Sequence, residues 1–276
     1  MDYSANSYPE RIVCLTEETT ETLYALEEDW RIVGISGFTV RPAKARKEKP
    51  KVSAFVSAKI DKILALEPDL VLGFSDIQSD IAAALIQAGV TVKVFNHRSV
   101  AGILQMIRVL GGMIGCEQKA QAYARSLADN LKPVQPERRP RVYFEEWDDP
   151  LISGIQWVSE LVYIAGGQDC FVERARCSLA KDRIIAEPRE VIDAAPDIII
   201  GSWCGKKFRP ERVAERPGWQ TVPAVKNGQL FEIKSPLILQ PGPAALTDGL
   251  VALKAIVSAW LDQDQASGPV SKSNAS

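Results

Sequence analysis

Two stretches of this chain share one pattern. The first reads Leu66-Glu67-Pro68-Asp69-Leu70-Val71-Leu72-Gly73, and the second, 128 positions later, reads Ala194-Ala195-Pro196-Asp197-Ile198-Ile199-Ile200-Gly201. In each, a proline that ends a helix precedes an aspartate and a short apolar run typical of a buried strand. The run that begins at Arg11 and Ile12 recurs loosely at Arg141 and Val142, 130 positions later. Two segments at nearly one offset predict two similar lobes with the same order of elements.

Short apolar runs alternate with helical patterns through both halves of the chain. The runs predict strands over Ile12–Leu15, Ile32–Ile35, Leu70–Gly73, Val90–Phe95, Val142–Phe144, Ile198–Gly201 and Leu230–Ile233. Helices are predicted from Thr16 as N-cap to Glu27, and over Ile60–Leu66, Ser79–Ala88, Val158–Ala165, Glu190–Ala194 and Ala244–Leu261. This alternation predicts an α/β fold in which each lobe is a mainly parallel sheet flanked by helices.

A long amphipathic segment separates the two halves. Residues 117–131 place apolar side chains at the spacing of one helix face, and no glycine or proline interrupts them. We therefore predict that one rigid helix joins the lobes. The expected organisation is an N-terminal lobe over residues 10–112, a linking helix over 113–135, a C-terminal lobe over 140–262 and a disordered tail over 263–276.

The composition excludes several classes of protein. The chain has 276 residues with 33 basic and 35 acidic side chains, which argues against a nucleic-acid partner. Its single histidine, and five cysteines without a CxxC pair, argue against a zinc site, so we expect no bound metal ion. Cys170 and Cys177 could pair, although free thiols are the expected state. No apolar run is long enough for membrane insertion.

An enzyme is the second class of function to weigh. Cys204 follows a predicted strand, where a nucleophile could lie, but activation requires a base and the only histidine is in the other lobe. GxSxG, P-loop and GxGxxG motifs do not occur in the chain. We therefore expect a protein that is not an enzyme.

Residues just after the strands are the candidates for binding, because ligands of open α/β sheets lie outside the carboxyl ends of the strands. Aromatic side chains gather at these positions: Phe38, Phe74, Trp147 and Trp203. Such faces suit a wide, mostly uncharged macrocycle. Trp147 and Trp203 are the strongest candidates, since polar neighbours on both sides disfavour full burial.

Polar side chains near these strand ends have two interpretations each. Glu145, Glu146, Asp148 and Asp149 could bind a hard cation, but we favour a solvated loop from which Glu146 or Glu145 supplies one polar contact. His97 follows a strand and could ligate cobalt or iron axially, but a polar surface or hydrogen-bonded role is the commoner one.

In this order and spacing, the motifs resemble the helical-backbone class of ABC-importer substrate-binding proteins, whose members bind cobalamin, haem and ferric siderophores. The resemblance covers residues 10 to 262. It rests on Arg11-Ile12-Val13 and the Thr-Glu-rich helix, Val33–Gly37, Lys51–Phe55, Ile60–Val71, Ala165-Gly166-Gly167 and Ala195–Ile199. A closer similarity to the cobalamin-binding branch rests on Phe144–Leu151 and Ser202–Lys207.

The resemblance implies a non-catalytic protein that captures a corrinoid such as cobalamin between its lobes and delivers it to an ABC permease. It adds Phe55, where the cobalamin branch also has an aromatic residue. Arg41 and Arg183 stand where that branch has aromatic residues, which suits a modified corrinoid or a more anionic ligand. Haem or a ferric siderophore is therefore the alternative ligand. Arg41 could equally be a solvated residue of the basic loop 41–49.

The resemblance also implies a monomer that docks on its permease through one exposed acid per lobe. Asp61 occupies the N-lobe position. Arg189 stands at the C-lobe position, so Glu190 is the candidate there. Family habit places the protein in the periplasm, whereas the chain begins without the basic start and apolar region of a secretory leader. A cytoplasmic corrinoid-binding carrier therefore stays open as an alternative.

Overall fold

A computed structural model of the chain describes residues 8–267. The chain forms two compact units. Unit 1 comprises residues 8–131 together with Leu239–Thr247, and unit 2 comprises Lys132–Ile238 together with residues 248–267. The chain therefore passes from one unit to the other three times.

Unit 1 is built on a five-stranded parallel sheet. Its strands are β1 (Ile12–Cys14), β2 (Ile32–Ser36), β3 (Lys51–Ser53), β4 (Leu70–Phe74) and β5 (Val92–Phe95). They lie in the order β3-β2-β1-β4-β5. The helices are α1 (Glu17–Ala25), α2 (Ala43–Glu48), α3 (Ile60–Leu64), α4 (Ser79–Gln87), α5 (Val100–Met113) and α6 (Glu117–Asp129). Because all five strands are parallel, the loops that follow them share one edge of the sheet.

Unit 2 contains a second sheet with one antiparallel hairpin. Its strands are β6 (Arg141–Asp148), β7 (Leu151–Ser153), β8 (Gln168–Asp169), β9 (Ile198–Gly201) and β10 (Leu230–Glu232). The order is β10-β9-β6-β7, with β8 pairing to β6, and only β7 among these strands runs antiparallel to its partner. The helices are α7 (Gln156–Ile164), α8 (Val172–Ala175), α9 (Arg189–Ala194), α10 (Pro210–Ala214), α11 (Pro223–Lys226), α12 (Ser235–Ile238) and α13 (Leu250–Ser267).

The repeated sequence pattern corresponds to a repeated set of hydrogen bonds. In unit 1, Asp69 accepts hydrogen bonds from the Arg11 amide, and the Arg11 side chain donates to the Leu66 carbonyl at 3.0 Å. In unit 2, Asp197 accepts from the Arg141 amide at 2.8 Å, and the Arg141 side chain donates to the Ala194 carbonyl at 2.7 Å. Each aspartate thus ties the start of one strand to the start of its neighbour, which explains the Pro-Asp pattern physically.

The predicted α/β class with two mainly parallel sheets is confirmed. Each predicted strand is present, although β6 extends four residues beyond the predicted Phe144. The longer α5 was not predicted, and neither were the short elements β3, β7, β8, α2, α8, α10, α11 and α12. Segments of only two to six residues hold too few side chains to show a period.

The segment predicted to link the lobes forms α6, which is shorter than the predicted 113–135 and belongs to unit 1. It packs closely on α5, where a Cβ at Gly111 would lie 2.1 Å from the Ala120 Cβ. The observed units also interleave, because the return segment Leu239–Thr247 belongs to unit 1. These boundaries differ from the predicted 10–112 and 140–262, since the contacts of the return segment are made with residues more than a hundred positions away.

The end of the chain differs from the expectation as well. Ala245–Gly249 form a π-helical turn, and α13 begins only after it. We predicted a disordered tail over residues 263–276, but residues 263–267 belong to α13. Residues 268–276 lie outside the described part of the chain.

Candidate functional site

The carboxyl edge of the unit 1 sheet exposes an unusual number of large apolar side chains. Phe38 and Val40 follow β2, Val56 follows β3 and Ile77 follows β4, and their exposed fractions lie between 45% and 68%. Phe55, in the same loop as Val56, is half-buried. Several large apolar side chains exposed at one edge of a sheet are typical of a place where another molecule binds. We call these five residues the apolar edge.

Phe74 was predicted to contact the ligand, but its ring is buried. The edge of the His97 ring packs on it with centroids 5.3 Å apart, and the Arg98 guanidinium carbon lies 4.7 Å from its centroid. Arg98 is held there by a 2.8 Å hydrogen bond to the hydroxyl of Ser75, whose φ is +69°. In this arrangement Phe74 supports Arg98 rather than presenting its own face.

His97 has the hydrogen-bonded placement that sequence analysis gave as the commoner of its two interpretations. Its Nε2 donates to the Pro241 carbonyl at 2.7 Å, and its Nδ1 is buried. Burial lowers the pKa of His97, the hydrogen bond to Pro241 opposes that shift, and the charge of Arg98 adds to it. Both ring nitrogens therefore face the protein, and His97 fastens the return segment to unit 1 instead of ligating a metal.

Three acids of α1 form a centre that sequence reasoning missed. Glu17 and Glu18 are buried, and burial raises the pKa of each to about 7 against the opposing hydrogen bonds. Glu17 accepts from the Val40 amide, and Glu21 accepts from the Arg41 Nε at 3.0 Å with one oxygen and from the Ala244 amide at 3.0 Å with the other. These acids therefore hold the loop that carries Phe38 and Arg41.

In unit 2, one of the two strongest predicted aromatic candidates, Trp203, is buried. Trp203 is only 3% exposed, and its indole N–H donates to Glu145 at 3.1 Å. Glu145 is itself fully buried and accepts two further hydrogen bonds from Arg216, at 2.6 and 2.9 Å. The Phe208 ring packs edge-on against Trp203 with centroids 5.0 Å apart. Polar flanks did not keep Trp203 at the surface, because a buried carboxylate satisfies its N–H.

Arg183 and Glu146 were predicted as separate ligand contacts, but they bind each other. The guanidinium donates to the two carboxylate oxygens at 2.6 and 3.1 Å and also to the Ser153 carbonyl. Arg183 is 1% exposed, whereas Glu146 is half-buried. Arg183 therefore fixes the position of Glu146 and does not itself reach solvent. Such a bidentate pair is geometrically specific.

Trp147 keeps part of its surface exposed, beside a lysine that sequence reasoning missed. Its indole N–H donates to the Asp149 carbonyl at 2.8 Å. The Lys206 ammonium lies 5.0 Å from the Trp147 ring centroid and 5.1 Å from that of Trp203. The same ammonium donates to both oxygens of Asp148, at 2.6 and 2.7 Å. Of the four acids considered for a hard cation, three are thus paired with basic side chains.

A cavity of about 420 Å³ lies next to these ion pairs in unit 2. Asp148 and Arg216 contribute to its wall, together with three prolines, Pro150, Pro188 and Pro217. Its lining is mainly apolar, so it adds a recess with few charged groups to the carboxyl edge of this sheet.

The two predicted docking acids differ in their surroundings. Asp61 is exposed in the first turn of α3. Glu190 is half-buried in the first turn of α9 and accepts from Arg174 at 2.8 Å. Arg189, at the C-lobe position itself, is exposed and lies 3.7 Å from Asp193. Asp61 is therefore the more available of the two acids.

The remaining sequence questions concern thiols, metals and membranes. All five cysteines are free, Cys170 and Cys177 included. Among residues 8–267, we find no cluster of three or more His, Cys, Asp or Glu side chains that could hold a metal ion. In the same part of the chain, no helix combines the length and apolar character needed to cross a membrane.

Comparison with known proteins identifies the class. Residues 12–237 match the family described as periplasmic binding protein. The ABC transporter substrate-binding lipoprotein YvrC of Bacillus subtilis (strain 168), itself uncharacterized, is 25% identical over 256 residues, covering 88% of this chain and 78% of the relative. The vitamin B12-binding protein of Vibrio parahaemolyticus is 24% identical over 251 residues, covering 88% and 87%.

A solved structure shows the same fold. The periplasmic heme-binding protein BhuT, in complex with two hemes, superposes with a TM-score of 0.75 at 21% identity, covering 91% of this chain and 98% of that one. The chain belongs to the periplasmic binding protein family. It is a substrate-binding protein of the kind that serves ABC importers, and this family consists of non-catalytic transport components.

Proposed function

We propose that this protein binds a corrinoid, of which cobalamin is the reference compound, for delivery to an ABC permease. The observation that carries the proposal is the apolar edge of unit 1, with large side chains exposed at the carboxyl ends of three parallel strands, β2, β3 and β4. That edge is where ligands of open α/β sheets bind. One of the relatives named above, the vitamin B12-binding protein of Vibrio parahaemolyticus, supports the same ligand class.

The chemistry of the apolar edge fits a broad, mostly uncharged ring system. Phe38 and Phe55 offer aromatic faces, and Val40, Val56 and Ile77 offer aliphatic surface around them. Burying such side chains against a ligand contributes roughly 25 cal/mol for each Å² removed from water. In unit 2, the partly exposed face of Trp147 and the fixed carboxylate of Glu146 supply the contacts proposed there.

A more anionic metal complex, such as haem or a ferric siderophore, is the second candidate. The loop after β2 carries Arg41, partly exposed, and continues into the basic α2. Arg46 is part of the same surface and donates to the carbonyls of Gly37 and Thr39. Guanidinium groups at this edge favour a ligand with carboxylates or catecholates over a neutral corrinoid.

Titration calorimetry of the purified protein with cyanocobalamin and with haemin tests the proposal. We expect saturable binding of cyanocobalamin at micromolar concentration. Saturable binding of haemin alone would favour the second candidate, and binding of neither compound, nor of a ferric siderophore, would refute ligand capture at this edge.

A matched pair of variants locates the site. Phe38→Ser should weaken cyanocobalamin binding at least fivefold, since loss of a desolvated aromatic contact is typically worth more than 1 kcal/mol. Ile86→Ser is the control, because Ile86 is equally exposed in the same unit but lies at the end of α4, away from the apolar edge. Equal effects of both substitutions would remove Phe38 from the site.

For delivery, we propose that Asp61 carries the contact with the permease in unit 1. Its exposure in a short helix leaves the carboxylate accessible to a basic partner surface. Glu190 is the proposed counterpart in unit 2, where Arg174 already holds one of its oxygens. A partner arginine there would have to share or displace Arg174, so the two docking contacts are not equivalent.

A further inference from the structure

The Lys206 ammonium occupies a compartment that has the composition of an ammonium-binding site. Two indole rings, those of Trp147 and Trp203, lie 5.0 and 5.1 Å from Nζ. Both oxygens of Asp148 lie within 2.7 Å of the same atom. Indole faces attract cations through their quadrupole, and aromatic walls around a carboxylate are the arrangement that proteins use to recognise alkylammonium groups. We call these three side chains the ammonium cage.

The walls of the ammonium cage are fixed independently of Lys206. The Trp203 indole is held by Glu145 and packed by Phe208. The Trp147 indole is held by the Asp149 carbonyl. Asp148 is the last residue of β6, and its side chain is 4% exposed. The cage would therefore keep its shape if the lysine left.

Lys206 itself is attached less rigidly than the walls. It lies in the loop that follows β9, outside regular secondary structure, and its side chain is 36% exposed. It follows Gly205, which has φ +71°; a Cβ there would meet, beyond the neighbouring residues, no atom of the described chain within 4 Å. A lysine on such a loop can turn outward into water, where its ammonium is well solvated.

We propose that the ammonium cage is a binding site for a primary alkylammonium group, and that Lys206 fills it until a ligand bearing such a group displaces the lysine. The site lies where β6 and β9 end, at the carboxyl edge of the unit 2 sheet. The inference deepens the proposed function and rests on it in one respect, namely that the transported ligand meets this edge. It assigns an amine-bearing side chain to that ligand, a group that cobalamin itself lacks.

Charge balance favours displacement over simple addition. A tethered ammonium competes with a free one at an effective concentration on the order of millimolar. Without Lys206, the Asp148 carboxylate would remain nearly buried and without its main cation, which is unfavourable. An external ammonium would restore that charge balance. Removing the lysine should therefore raise the affinity for a free alkylammonium by at least roughly tenfold.

The test is a titration of the full chain with n-butylammonium chloride, followed through the indole N–H signals of Trp147 and Trp203 by NMR. Lys206→Met should bind n-butylammonium at least tenfold more tightly than the unmodified protein. Adding Asp148→Asn to that variant should abolish the gain. Lys207→Met is the matched control, because Lys207 belongs to the same loop and lies next to Lys206 in the sequence. Butan-1-ol, of the same length and uncharged, should shift neither signal.

Several outcomes would overturn the proposal. A folded Lys206→Met protein whose indole signals do not respond to n-butylammonium would do so, and so would an equal response to butan-1-ol. If Lys206→Met does not fold, a titration of the unmodified protein with n-butylammonium tests the proposal instead. Its Lys206 methylene signals, shifted by the two rings, should move toward solvent-exposed values as n-butylammonium is added, and unchanged signals would refute displacement.

The parallel cyanocobalamin and haemin titrations separate this inference from the proposed function. Ammonium binding without binding of any metal complex would refute the proposed function and leave the cage standing. Binding of cyanocobalamin, together with no response of Lys206→Met to n-butylammonium, would refute the ammonium cage and leave the proposed function standing.

Discussion

Substitution of Arg216 by methionine should destabilise unit 2 strongly, because it strands a buried carboxylate. Glu145 has no exposed surface and receives hydrogen bonds from Arg216 at 2.6 and 2.9 Å. After the substitution, Glu145 would keep the Trp203 indole as a donor at 3.1 Å but lose its guanidinium. Breaking a buried ion pair by removing one partner costs roughly 3–5 kcal/mol. At roughly 2–4 °C per kcal/mol for a chain of this size, Tm should fall by about 6–20 °C.

The assay is urea unfolding followed by tryptophan fluorescence. Of the six tryptophans, only Trp30 belongs to unit 1, so the signal reports mainly on unit 2. Arg212→Met is the matched control. Arg212 also faces a buried carboxylate, Asp148, but at 4.0 Å and with 57% of its side chain exposed. Its loss should change the free energy of unfolding by about 0–1 kcal/mol.

The double variant Glu145→Gln/Arg216→Met completes the test. It replaces the stranded charge with an amide that can still accept from Trp203, so at least half of the lost stability should return. A loss below about 1 kcal/mol in Arg216→Met, or a double variant no more stable than the single one, would refute the reasoning that Glu145 is a buried charge held by Arg216.

Two further predictions concern unit 1. Gly111→Ala should destabilise the protein by roughly 1–3 kcal/mol, because its Cβ would lie 2.1 Å from that of Ala120. Gly112→Ala is the control, because a Cβ there would meet no atom of the described chain within 4 Å outside its own helix. This substitution should stabilise α5 by about 0.5–1 kcal/mol. Equal changes in melting temperature for the two variants would contradict the close approach of α5 and α6. The second prediction concerns Glu18, whose folded pKa of about 7 exceeds its ordinary 4.5, so the folded state holds a proton that the unfolded chain releases. The contribution of this group to the free energy of unfolding is therefore fully present below pH 4.5 and is lost as the pH rises to 7, by on the order of 3 kcal/mol. Over that range Glu18→Gln should gain stability relative to the unmodified protein. A stability difference between the two proteins that does not depend on pH would exclude the raised pKa.

Local sequence patterns predicted the sheets because a few adjacent residues are enough to mark each of these strands. The strand runs in β1, β4 and β9 are apolar and bounded by turns, and each Pro-Asp pattern marks a strand start. The rule that ligands meet carboxyl ends directed attention to Phe38, and the family resemblance added Phe55; the structure leaves the first exposed and the second half-buried at that edge. Their roles as ligand contacts remain predictions.

Burial was the property that local patterns could not supply. Trp203 was expected at the surface because of its polar neighbours, but its N–H partner is 58 residues away in the sequence. Arg183 and Glu146 are separated by 37 positions, and nothing near either residue indicates the other. Pairings of this length depend on the sheet order, which brings β6 beside β7 and β9. Sequence periodicity carries no information about such partners.

The acids at the start of α1 are a second case in which local sequence did not predict burial. Glu17 and Glu18 begin a helix, where acids are favourable against the helix dipole and ordinarily face water. Here the Val40 loop and the return segment cover them: the Val40 amide donates to Glu17, and Gly242 approaches so closely that a Cβ there would lie 2.5 Å from that of Glu18. Thr19 and Thr20 follow these acids directly and are fully buried as well. This pair of small side chains is the one local sequence feature that accompanies the burial of the helix start.

The ion pairs of unit 2 favour a scaffold role for its acidic stretch over the binding of a hard metal cation. Three acids of β6 are matched by bases from three different segments of the chain, giving the pairs Glu145–Arg216, Glu146–Arg183 and Asp148–Lys206. A hard cation would have to displace a guanidinium or ammonium from each acid, at the cost of stranding those charges. The pairs instead anchor three loops to one strand. Because Trp203 is held by Glu145, which Arg216 holds in turn, the geometry of its indole face depends on the Glu145–Arg216 pair. Selectivity at this edge should therefore change when Glu145 is replaced, although that acid is fully buried.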